Sequence, residues 1–125
     1  MKMHAVRCAL SAAVILASAL AAAPARADDV ARGKYLVTRM GMCADCHGAK
    51  YEGTYLGFLA PHMPVAYRAP KIAGLPMFKT DAAAATFFMT GKMPAGKKPP
   101  RPPMPGYRMN ADDARAVVAY LRSLK

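Results

Sequence analysis

The run Cys43-Ala44-Asp45-Cys46-His47 places two thiols three residues apart, with an imidazole directly after the second. On one helical turn that spacing puts both sulfurs on the same side. Two such thiols can form thioethers to the vinyl groups of neighbouring pyrroles. The histidine that follows can then turn its ring under the iron. C-x-x-C-H is the attachment signature of c-type haem. Other readings of the same residues are weaker. A thioredoxin-like redox pair needs a βαβ setting, and none is legible. A zinc site built from Cys43, Cys46, His47 and His62 would separate its histidines by 15 residues, where finger spacing asks for about three to five. A structural disulfide would leave the histidine without a purpose.

Upstream of the motif, Lys2 and Arg7 precede an unbroken small and apolar run from Cys8 to Ala23, and Pro24-Ala25-Arg26-Ala27 closes it. A basic start, an apolar centre and an A-x-A end make an export leader, so residues 1–27 are expected to be a signal peptide cleaved after Ala27. The apolar run is shorter than the roughly 20 residues that span a bilayer, which argues against a membrane anchor. Cys8 would leave with the leader, so Cys43 and Cys46 would be the only cysteines of a domain at 28–125. Loss of Lys2, Arg7 and Arg26 would lower the net charge from +11 to +8.

Downstream, the pattern is helical and interrupted. Asp28-Asp29 starts a helix with acids at its positive end, and Val30, Gly33, Val37 and Met40 fall on one face. Gly41 ends it. Residues 48–69 mix Gly, Tyr and Pro without period and are expected to be an irregular loop, as are 70–78. Thr80-Asp81 opens a short helix that stops at Gly91. Residues 92–109 hold six prolines, a density that excludes helix and central strand. Asn110 caps a last helix, in which Ala114, Val117, Val118, Leu121 and Leu124 form an apolar stripe. No strand of useful length is expected. The fold class is all-α, about three helices held apart by long loops. Such a chain has a thin core, which predicts that something large and apolar fills its centre.

With these residues in place, the chain resembles a class I-type, single-haem cytochrome c over nearly all of 28–125. The segment Gly33-Lys34-Tyr35-Leu36-Val37-Thr38 leading into the motif resembles the family's first helix and haem site. The segments Arg101-Pro102-Pro103-Met104-Pro105-Gly106-Tyr107 and Val117-Val118-Ala119-Tyr120-Leu121-Arg122-Ser123-Leu124 resemble its C-terminal half. The resemblance is nearest to haem domains that partner periplasmic dehydrogenases. It implies one haem c bound through Cys43 and Cys46, with His47 as proximal ligand, and a first and a last helix that cross at Gly33 and Tyr120. It implies a sixth ligand in an M-P-x-aromatic segment, which Met104-Pro105-Gly106-Tyr107 matches. Flanking prolines lower the entropy cost of presenting that thioether. Met93-Pro94 is the rival and His62 a lesser one; Met77, Met89 and Met109 are expected to fill core. Pro70-Lys71-Ile72-Ala73-Gly74 resembles the family stretch whose proline carbonyl accepts from the proximal histidine, with Pro61 as the substitute. Two departures stand out. Residues 48–69 contain an insertion, and Phe78 stands where related sequences often carry a tryptophan near a haem propionate.

The implied function is periplasmic electron transfer through a haem with His/Met ligation, as a shuttle or as the haem subunit of a dehydrogenase, without a catalytic role of its own. The alternative is a haem enzyme or small-ligand binder with an open sixth site. Lys92, Lys97, Lys98, Arg101 and Arg108 crowd the Met104 loop, which suits an acidic redox partner. A nucleic-acid partner does not suit an exported haem protein, and no stable membrane insertion is expected once the leader is gone.

Overall fold

The computed structural model describes residues 27–60 and 62–125. The leader expected at 1–27 lies outside the described residues except for Ala27, and so does Pro61.

Helix α1 (Ala27–Tyr35) opens with Asp28 and Asp29 in its first turn and closes with Arg32 and Lys34 in its last, so charge opposes the helix dipole at both ends. The chain then continues as a π-helical turn, Leu36–Met40. The amide of Gly41 reaches back to the Leu36 carbonyl at 2.7 Å, and that of Cys43 to Val37 at 3.1 Å. The wider turn slips the helical phase. Val37 is buried at 1 % exposure, but Met40 swings out to 64 %, so Met40 does not share the face of Val30, Gly33 and Val37. The single turn α2 (Ala44–His47) follows Cys43 directly.

The segment 48–69 is not wholly irregular. Strand β1 (Thr54–Tyr55) pairs antiparallel with β2 (Arg68–Ala69), Thr54 opposite Ala69 and Tyr55 opposite Arg68. Gly53, at φ +88°, allows this close return. A Cβ there would lie 2.8 Å from the Ala69 carbonyl oxygen and 2.7 Å from the Lys71 nitrogen, closer than any side chain tolerates. Leu56 plugs the hairpin into the interior at 2 % exposure.

Helix α3 (Asp81–Thr90) is capped by the Thr80 hydroxyl, which accepts from the Ala83 amide, and ends at Gly91 in the left-handed conformation. Helix α4 (Ala111–Ser123) is capped by Asn110, whose side chain accepts from the Asp113 amide at 2.8 Å. One stripe of α4, Ala114, Val117, Val118 and Leu121, is buried in the core, and so are Ala116 and Tyr120. The last two meet α1. A Cβ on Gly33 would lie 1.9 Å from the Ala116 carbonyl oxygen and 2.8 Å from Tyr120 Cβ, so only glycine permits the α1–α4 crossing at this distance. Arg122, near the end of α4, donates to the carbonyls of Gly74 at 2.6 Å and Phe78 at 2.9 Å and to Asp81 at 2.8 Å. It thereby ties α4 to the approach of α3. Among the described residues the architecture is four helices, the π-helical turn and a two-stranded hairpin, and no helix there is long and apolar enough to cross a membrane.

Candidate functional site

α2 is too short to be held by its own hydrogen bonds, and its neighbours fix it. The His47 amide donates to the Cys43 carbonyl at 2.9 Å, and the Gly53 amide donates to the His47 carbonyl at 2.7 Å. The imidazole is 5 % exposed. Its Nδ1 lies 2.7 Å from the Pro70 carbonyl oxygen. A carbonyl can only accept, so Nδ1 carries a proton, and in the neutral ring that leaves the lone pair on Nε2. That is the state of a histidine ready to bind a metal. Pro70, rather than Pro61, makes this contact, and Pro61 lies outside the described residues.

Cys43, Cys46 and His47 open onto a cavity of about 260 Å³. Both thiols are free. Burial pushes the Cys43 thiol above its ordinary range, against the lowering effect of hydrogen bonds from Tyr107 and its own backbone. The interior wall is apolar: Leu56 and Ala69 from the hairpin, Ile72, Leu75 and Phe78 before α3, Phe87 and Phe88 on α3, Leu121 on α4. Phe78 packs on Phe87 with ring centroids 5.5 Å apart, so it serves the wall and offers no polar group. The cationic residues of the lining are Arg68, Lys98 and Arg101, all exposed, which suits a ligand whose carboxylates face outward.

Four methionines line the same cavity: Met42, Met77, Met93 and Met104. Met104 and Met93 are both half-buried, each before a proline. His62 is exposed and does not reach the cavity. Met109 packs against the core, as a filler does, while Met89 is 38 % exposed rather than buried. Sequence reasoning named Tyr107 only as the aromatic of a motif. In the fold its hydroxyl lies 3.5 Å from the Gly41 carbonyl and beside Cys43, and burial together with Cys43 pushes it up to about 12. Arg68 was also missed, since nothing in its local sequence says that β2 will carry it to the cavity.

The donor set fits a haem. Two unpaired thiols stand beside a buried imidazole with a free Nε2, all at one end of an apolar cavity whose cations can meet carboxylates. The zinc alternative finds no support, since among the described residues no three His, Cys, Asp or Glu side chains are placed so that they could share one metal ion; His62 is exposed and away from the cavity. Cys43 and Cys46 would hold the group through thioethers and His47 Nε2 would bind its iron, while Leu75, Phe87 and Phe88 exclude water. Bound haem supplies a one-electron ferric/ferrous couple. The chain's own part is to keep the imidazole proton on Nδ1 and the cavity dry.

A comparison with curated proteins gives no match. The sequence profile of the family described as Cytochrome c matches residues 30–125, a span that contains the whole constellation just described. With that match, the chain belongs to the cytochrome c family, which carries haem c covalently and uses it for electron transfer.

Proposed function

We propose that this protein is a periplasmic single-electron carrier in which His47 and Met104 would hold the iron of the haem. The observation that carries the reading is that Met104, fixed between Pro103 and Pro105, lines the same cavity as the buried His47. The Met104 amide donates to the Arg101 carbonyl at 3.1 Å, so the thioether is borne on a turn and not on a free strand of loop. With His47 and Met104 both holding the iron, no place would be left there for substrate, and a His/Met ligand set would favour a raised potential. The protein is then a carrier rather than an enzyme. Export follows from the leader pattern of residues 1–27. The donor is a dehydrogenase, which the protein serves as a shuttle or as a bound haem subunit. The exposed cations Lys92, Lys97, Lys98, Arg101 and Arg108 fit an acidic docking face on the partner.

Ferric and ferrous spectra of the haem-loaded protein, beside Met104→Ala and Met93→Ala, test the ligation. Loss of the thioether–iron charge-transfer band in Met104→Ala alone is the expected result. Loss in Met93→Ala instead moves the ligand to Met93. A high-spin wild type that binds CO rapidly replaces the carrier with an open-site haem protein.

A further inference from the structure

Residues 48–69 form a hairpin whose two ends meet the His47 side of the cavity and whose far part meets the loop that carries Met104. The segment begins directly after His47 and ends at Pro70, whose carbonyl accepts the hydrogen bond of His47 Nδ1 at 2.7 Å. Its β1–β2 ladder continues with the Leu56 amide on the Tyr67 carbonyl at 2.7 Å. The Tyr67 hydroxyl then closes the tip, 2.5 Å from the Ala60 carbonyl and 2.9 Å from that of Met63. Next to Tyr67, the Ala66 amide donates across to the Pro102 carbonyl at 2.8 Å. Among the described residues this is the only backbone hydrogen bond between segment 48–78 and loop 92–109.

The chemistry of the loop makes that bond matter. Six prolines remove a third of the backbone donors of residues 92–109, and the amides of Lys97 and Met104 are spent on local turns, to Pro94 and Arg101. Little but the Met109 amide, on the Phe88 carbonyl at 3.0 Å, then ties the loop's own backbone to the rest of the fold. Its carbonyls need donors from elsewhere. Ala66 supplies one at Pro102, two residues before Met104. From this we infer that the 48–69 hairpin is a strut: through the Ala66–Pro102 bond it holds the Met104 segment against the cavity and keeps the thioether from leaving the iron. Ala66 and Tyr67 are positioning residues, since neither is a ligand. The inference rests on Met104 being the sixth ligand.

The test is the rate at which excess imidazole displaces the thioether from the ferric, haem-loaded protein, followed by stopped-flow loss of the charge-transfer band. Ala66→Pro removes the donor and is expected to speed exchange on the order of tenfold, the worth of one such bond. Tyr67→Phe loosens the tip without touching the cavity and is expected to act in the same direction, about twofold to threefold. Thr80→Ala removes the α3 cap and serves as control: it should lower Tm and leave the exchange rate unchanged. Wild-type exchange in both hairpin variants overturns the strut, as does a rate that merely follows Tm in all three. If Ala66→Pro does not fold, Tyr67→Phe decides alone. A wild type without the thioether band overturns the ligand reading, and the strut with it.

Discussion

Tyr51 stands edge-on to Tyr120 with ring centroids 6.3 Å apart, 6 % exposed. Its carbonyl accepts the amides of both Ile72 and Ala73, so it fixes the stretch that follows Pro70. Burial, then its neighbour Tyr120, push its hydroxyl up from the ordinary 10.0 to about 12. The fold therefore favours the protonated phenol. The stability this confers is complete below the unfolded value and is lost as pH rises from about 10 through 12. Denaturant midpoints of the haem-loaded protein measured across that window should fall, and Tyr51→Phe should flatten part of the fall. An equal slope in the variant would place the sensitivity elsewhere. At this scale the site was partly readable. Cys43, Cys46 and His47 are adjacent in sequence, so their chemistry shows in the string of letters. The tautomer of His47 is a property of the Pro70 carbonyl, 23 residues away, and only the resemblance to a family pointed there.

Between elements, the contact of α1 with α4 is governed by Gly33. Replacing it with alanine forces a methyl into the Ala116 carbonyl. Backbone cannot rotate aside as a side chain can, so Gly33→Ala should cost about 3 kcal/mol or more, at the upper end for overpacking. Chemical denaturation gives the number, and a loss below about 1 kcal/mol would mean that the helices simply move apart. The helices themselves were legible, because Asn110 and Thr80 are caps with a mechanism and Gly91 a stop. Two features were not. The π-helical turn at Leu36–Met40 breaks the single period that placed Met40 with Val37. The β1–β2 ladder has two residues a strand, too few for an alternating pattern to register. Its formation depends on Gly53 and on burying Leu56, both decided by tertiary contact.

For the whole molecule, the net charge, +11 over the full sequence and +8 without residues 1–27, and the exposed cations about the Met104 loop favour acidic partners. Electron transfer to an acidic protein should slow as salt rises, with a rate constant falling about tenfold or more between low and high ionic strength. A Lys98→Glu, Arg101→Glu variant should be slow and nearly insensitive to salt. Stopped-flow reduction across an ionic-strength series checks both, and a flat wild-type profile would remove electrostatics from docking. The same loop has a consequence for the lifetime of the protein. An exposed, basic, irregular segment is ordinarily where a chain is first nicked by proteases. Here Lys98 is followed by Pro99 and Arg101 by Pro102. A proline on the far side of the bond removes the amide hydrogen and restrains the residue before it, which spoils the bond for a trypsin-like enzyme. The stretch of chain that bears Met104 thus presents exposed basic side chains and yet, after Lys98 and Arg101, bonds that such an enzyme cuts poorly.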